Sequence, residues 1–190
     1  MADFLYSIDL AVFYFINDTI SNPVFDWFFP FITNVKHWFP VYIIAFLWLM
    51  IKGGRYGRIA ALGAIVVITF SDQFNSNFVK SIFERIRPCN ALDVVNVLCC
   101  KSSSYSFPSS HAVNNFAIGV FFLRLYPKAK ITLLVVASLV AFSRPYVGVH
   151  YPSDILAGAV VGTAIGYMFS YFALKINEMF DKRLENKTIN

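Results

Sequence analysis

The chain has 190 residues, of which 57% are hydrophobic, 18% aromatic and only 14% charged, with a formal net charge of +5. Soluble domains carry about 25% charged residues, so this composition excludes an ordinary water-soluble domain and points to one integral membrane domain over residues 1–190. The positive balance suits an anionic partner, but no basic run is interleaved with aromatic residues, which argues against nucleic acid.

The first ten residues, MADFLYSIDL, lack a basic stretch and carry Asp3 and Asp9, so they do not read as a cleavable signal peptide. Later spans would then serve as the membrane-targeting signal. Between residues 4 and 35 the apolar pattern is interrupted by Asp9, Asn17, Asp18 and Asp26. A charge at the centre of a membrane helix costs roughly 2.5–3.5 kcal/mol. Residues 1–36 are therefore expected to form one or two interfacial or short tilted helices, with Trp27 and Trp38 at headgroup level.

Five apolar stretches follow, at Trp38–Ile51, Ile59–Phe70, Ala112–Leu125, Ile131–Phe142 and Ile155–Leu174. The second is expected to continue as a helix to about Arg85. The fifth is long enough, at about 20 residues, to cross a hydrocarbon core of about 30 Å. Within it Gly158, Gly162 and Gly166 recur every four residues, a small-residue stripe that lets two helices approach closely. The expected fold class is all-α, a polytopic membrane bundle of about six helices.

Basic residues fall at three places: Lys52, Arg55 and Arg58; Arg124, Lys128 and Lys130; and a tail with Lys175, Lys182, Arg183 and Lys187. If each span after residue 58 crosses once, all three lie on one side, which the positive-inside tendency makes cytoplasmic. Residues 80–111 and 143–154 then face the opposite side. The cysteines, Cys89, Cys99 and Cys100, lie in an outer loop, where Cys89 either bridges to Cys99 or Cys100 or all remain free thiols. Their spacing does not resemble a zinc site.

Three polar clusters stand out from this apolar background. KSIFERIRP places Lys80 and Arg87 seven residues apart, nearly two helical turns, so a continuous helix would present both cations on one face about 10 Å apart. Lysine supplies a point charge and arginine a planar fork for a phosphate; the competing reading pairs Lys80 with Glu84 at i+4. PSSH offers Ser109, Ser110 and His111 at a helix start, where free amide groups favour a phosphate and the imidazole is placed to protonate a leaving oxygen. In SRPYVGVHYPSD, Pro152 and Ser153 read as the first turn of the last helix with His150 just before it, and Arg144 is available to neutralise charge on phosphoryl oxygens. There Asp154 is close enough to hold one ring nitrogen of His150, leaving the other free to attack.

Together these clusters resemble the tripartite signature of the type 2 phosphatidic acid phosphatase superfamily: KxxxxxxRP, PSGH and SRxxxxxHxxxD. Lys80, Arg87 and Pro88 fit the first part, and Ser143, Arg144, His150 and Asp154 fit the third. Ser110 stands where the second part usually has glycine. The resemblance implies a membrane lipid phosphatase in which His150 is the nucleophile that becomes a phosphohistidine, Asp154 orients and balances it, and His111 protonates the leaving group. Lys80, Arg87, Arg144 and Ser109 would bind the phosphate, with the Ser110 amide assisting. It implies no cofactor and no metal, because fixed cations do the work of a magnesium ion; near the motifs the outer face carries only Glu84, Asp93 and Asp154 as carboxylates.

The expected partners are a phosphorylated membrane lipid and the bilayer. Undecaprenyl diphosphate, a lipid A 1-phosphate and phosphatidylglycerophosphate are the substrates of similar small bacterial enzymes, and the expected location is the cytoplasmic membrane with the site facing outward. Two other readings compete. A lipid-binding or transport protein would use the phosphate site without turnover. A vanadate-dependent haloperoxidase shares such a pocket but is soluble and larger.

Overall fold

The computed structural model describes residues 2–99 and 103–189, and among these it contains helices and loops but no strand. Two short helices open the chain. α1 (Ala2–Tyr14) runs into a π-helical turn at Phe15–Thr19, and α2 spans Pro23–Thr33. Asn22 caps α2 by accepting from the Val24 and Phe25 amides at 3.1 Å each, with Pro23 preset for the first turn. The expectation of one or two short helices before residue 36 is met.

α3 (Val35–Lys52) and α4 (Gly54–Phe74) form a hairpin. Its turn needs glycine: Gly54 has φ +59°, and a Cβ on Gly53 or Gly57 would stand 2.4 or 2.7 Å from the Leu49 carbonyl oxygen. α4 continues through a π-helical turn (Asn75–Val79) into α5 (Lys80–Phe83). The helix stops there because Glu84 takes a left-handed conformation at φ 45°. Arg87 is extended (φ −70°, ψ 150°), as the residue before a proline must be, and opens α6 (Pro88–Ala91). Lys80 and Arg87 therefore do not share one helical face, and the two-turn register expected for them is incorrect.

α7 (Ser110–Leu125) runs through the middle of the bundle, with Ala112, Val113, Ala117 and Phe121 fully enclosed. α8 (Lys130–Tyr146) extends past Phe142, so Ser143 and Arg144 sit on its last turn rather than in a loop. α9 (Pro152–Ile189) likewise outruns its expected end at Leu174, making the basic tail helical. Its glycine stripe packs on α7: a Cβ on Gly162 or Gly166 would lie 2.3 Å from the carbonyl of Val113 or Ala117.

Among the described residues four segments are long and apolar enough to cross a membrane: Val35–Lys52, Gly54–Ala91, Pro127–Tyr146 and Pro152–Leu184. The 16-residue α7 is enclosed by α4, α8 and α9, whose outer surfaces carry the lipid-facing side chains. The protein is an integral membrane helix bundle. At one end Tyr56 donates to the Leu125 carbonyl (2.8 Å) and Arg55 bonds Asn177 (3.2 Å) and pairs with Asp181. The start of α4, the end of α7 and the tail of α9 thus share an end, and the three polar clusters lie at the other. No disulfide joins Cys89 to Cys99, so the bridge between those two is not formed; Cys100 falls outside the described residues.

Candidate active site

The break after Phe83 brings Lys80 and Arg87 together by a different route from the one expected. Both are buried (5% exposed) and both reach the Tyr105 carbonyl, Lys80 Nζ at 2.8 Å and Arg87 Nη2 at 3.3 Å. Arg87 is further fixed by the Ser104 carbonyl (2.7 Å) and hydroxyl (2.9 Å) and by the Val149 carbonyl (3.1 Å). Glu84 accepts from the Tyr105 hydroxyl instead of pairing with Lys80. The π-helical turn before Lys80 turns Asn75 inward, where its Nδ2 donates to the Ser110 hydroxyl at 2.9 Å and so ties the first cluster to the second.

In the second cluster Ser109 is the N-cap residue of α7, but its hydroxyl caps nothing; it is buried with no hydrogen-bond partner among the described residues. The Ser109 amide donates to the Asp154 carbonyl at 3.0 Å, joining the first turns of α7 and α9. His111, one residue into α7, has Nε2 3.2 Å from the Thr33 carbonyl. Thr33 also receives Arg144, whose Nη1 donates to Oγ1 at 2.6 Å, while its buried Nε has no hydrogen-bond partner among the described residues.

His150 is almost fully enclosed, at 2% exposed. Its Nδ1 lies 3.3 Å from Asp154 Oδ2 and 3.3 Å from the Ser106 hydroxyl. Asp154 Oδ2 also accepts from Ser106 and from the Tyr151 amide (2.9 Å), and Oδ1 accepts from Arg85 (2.7 Å). An ionised carboxylate only accepts, so this arrangement assigns the ring proton to Nδ1 and the lone pair to Nε2. Arg87 Nη1, 2.9 Å away, donates to that lone pair. Burial, reinforced by Arg87, Arg144 and Lys80, holds the His150 imidazole well below its ordinary pKa, so the ring is neutral.

These groups enclose a cavity of about 300 Å³. Among the described residues three cations (Lys80, Arg87, Arg144), two imidazoles (His111, His150) and the serines Ser76, Ser104 and Ser110 line it, and no carboxylate does. Asp154 stands behind His150, and Ser109 is also outside the lining. A site with three fixed positive charges and no negative one favours a multiply charged oxyanion.

Residues 59–178 match the PAP2 superfamily model, well over half of the chain. The chain belongs to the PAP2 superfamily. It is 31% identical over 186 residues to a lipid A 4'-phosphatase of Bacteroides thetaiotaomicron, covering 93% of this chain and 81% of that protein. Among solved structures it resembles LpxE of Aquifex aeolicus, with TM-score 0.68, 26% identity, and 85% of this chain and 94% of that one covered. It also resembles a transmembrane PAP2-type phosphatidylglycerolphosphate phosphatase of Bacillus subtilis, with TM-score 0.70, 26% identity, and coverage of 90% and 87%. As a PAP2 member with phosphatase relatives, the protein is a hydrolase of phosphate esters.

Within this PAP2 site, sequence reasoning missed Ser104, Ser106, Thr33, Ser76 and Arg85 as partners. Ser104 and Ser106 lie in the polar run just before PSSH, the one place where composition signals them. Thr33 and Arg85 carry no local signal, because their contacts join residues far apart in the chain.

Proposed function

We propose that this protein removes a phosphate from a membrane lipid by forming a phosphohistidine at His150. The observation that carries this is the cavity itself: a neutral His150 Nε2 opens onto a pocket lined by Lys80, Arg87 and Arg144, while its Nδ1 is backed by Asp154. In the resting site Arg87 Nη1 bonds the nucleophilic nitrogen. A bound phosphate draws that donor to its own oxygens and frees the Nε2 lone pair for in-line attack on phosphorus.

As the N–P bond forms, the bond from phosphorus to the lipid oxygen breaks. His111, which burial and the neighbouring Arg144 hold neutral in the resting site with a pKa of about 3, takes up a proton from solvent when the phosphate dianion binds and gives it to that oxygen. Water, deprotonated by the now neutral His111, then attacks phosphorus, releases inorganic phosphate and returns His150. The Ser110 hydroxyl and amide at the α7 start complete the cradle for the equatorial oxygens, and the buried Ser109 hydroxyl just behind them is the further donor that a small shift of that turn would bring in. The three cations balance the phosphoryl charge, so turnover is expected to persist in EDTA.

The proposed location is the cytoplasmic membrane with the pocket facing outward. Support comes from the basic turns around Arg55, Lys128 and Lys182, which lie away from the pocket end. Among candidate lipids, a phosphate of lipid A is favoured, because the similarity to the Bacteroides enzyme runs over nearly the whole chain. The test is phosphate release by purified protein in detergent with EDTA, from lipid A phosphates, undecaprenyl diphosphate and phosphatidylglycerophosphate. Release from at least one lipid, abolished in His150→Ala, is expected. No release from any, or full activity in His150→Ala, overturns the reading.

A further inference from the structure

We propose that Arg85, held in turn by Asp9 of α1, is the positioning residue that fixes Asp154 behind His150. The inference rests on the phosphohistidine reading above. Arg85 lies in the open gap of KxxxxxxRP, and Asp9 lies outside the matched residues 59–178. The signature therefore assigns neither of them a role.

Three bonds define the clamp. Arg85 Nη1 donates to Asp154 Oδ1 and to the Ser153 hydroxyl, each at 2.7 Å, and Nη2 donates to Asp9 Oδ2 at 2.7 Å. The guanidinium lies over the Tyr151 ring, 3.8 Å from its centroid, which fixes its plane. Asp9 also accepts from the Ser153 amide (2.9 Å) and hydroxyl, seating the first turn of α9. The helix break at Glu84 leaves residues 84–87 outside any helix, and there Arg85 serves Asp154 while Arg87 lines the cavity.

Residue 85 controls the second carboxylate oxygen as well. Its own carbonyl accepts from the Ser106 amide at 2.7 Å, and the Ser106 hydroxyl donates to Asp154 Oδ2 beside His150 Nδ1. Side chain and backbone of one residue thus set the donors to both oxygens. A buried carboxylate with its countercharge removed takes up a proton or turns away, and in either case His150 loses the acceptor that fixes its tautomer. Asp9 offsets the charge of Arg85, so the clamp adds no fourth uncompensated cation to a pocket that already has three.

A plain structural ion pair pinning α1 to the bundle needs only Asp9 and Arg85. Here the same guanidinium also reaches the carboxylate that faces the nucleophile. The two roles predict different kinetics. If Arg85 acts through Asp154, Arg85→Met lowers kcat roughly 10- to 100-fold, the loss of a bond to a charged group, with KM nearly unchanged. Arg85→Lys restores part of that loss. In an Asp154→Asn background, Arg85→Met has little further effect.

The experiment is this double-mutant cycle, read as kcat and KM on the lipid phosphate that the wild-type protein hydrolyses fastest. Size-exclusion profiles in detergent check folding, and Arg85→Gln carries the cycle if Arg85→Met does not survive extraction. Strongly non-additive losses support the clamp. Additive losses, an effect confined to KM, or an unchanged kcat overturn it. Full activity in His150→Ala would instead overturn the phosphohistidine reading, whatever Arg85 does.

Discussion

Replacing Gly162 by alanine tests whether the seam between α7 and α9 sets the catalytic distances. The new methyl group would lie 2.3 Å from the Val113 carbonyl oxygen, 3.0 Å from the Ala117 nitrogen and 3.0 Å from Phe116 Cβ. The first two are backbone atoms, so no rotamer change relieves the clash. Restoring an ordinary contact of roughly 3.5 Å moves the helices apart by about 1 Å. Alanine gains about 0.8–1.0 kcal/mol in helix propensity over glycine, whereas overpacking opposes folding by about 1–3 kcal/mol, so overpacking wins.

The displacement also reaches the chemistry. α7 carries His111 and α9 carries Asp154, and their first turns are joined by the 3.0 Å bond from the Ser109 amide to the Asp154 carbonyl. A misplacement of about 1 Å lowers the rate about 10²-fold. The assay is kcat for phosphate release at saturating lipid, with the thermal midpoint in detergent measured in parallel. Gly119→Ala is the control, since its methyl group would meet Ala137 Cβ and the Leu133 carbonyl at an ordinary 3.6 Å. Wild-type kcat and midpoint in Gly162→Ala would refute the reasoning, and so would equal losses in both variants.

Two further outcomes are expected. Ser106→Ala removes a buried donor to Asp154 and a neighbour of His150 Nδ1, and lowers kcat about 10- to 100-fold with little change in KM, measured by initial rates. His150 sits among cations and stays neutral where an ordinary histidine charges, so its ring nitrogen resonances do not titrate as the pH falls from about 8 to about 6; a midpoint near 6.5 would contradict this.

The make-up of the candidate site was legible in the sequence because each cluster combines a strict residue type with short-range spacing. His150 and Asp154, four residues apart at a helix start, are held by one turn of backbone, and they meet at 3.3 Å. The glycine stripe was equally legible, since a period of four on an apolar helix has one geometric meaning. The Lys80–Arg87 pair shows where periodicity misleads. Spacing alone suggested a continuous helix, but Pro88 forces Arg87 out of the α region and Glu84 ends the helix first. Arg85 and Thr33 were illegible for another reason: their partners are 69 and 111 residues away, and no local pattern encodes such a meeting.

The N-terminal polar residues join these two cases. A polar group in a chain this apolar is costly unless it finds a partner, and Asp9, Asn17 and Asp26 each find one. Their partners lie in the segments that build the site. Asp9 seats Arg85 and the start of α9. Asn17 Nδ2 donates to the Tyr146 carbonyl at 2.8 Å and to the Asn96 carbonyl at 2.9 Å, holding the turn that leads to His150. Asp26 accepts the Tyr146 hydroxyl at 2.6 Å. Three of the four interruptions, Asp9, Asn17 and Asp26, thus bond the segments that carry the pocket residues, while Asp18 is exposed, so the N-terminal helices act as a brace for the loops of the candidate site.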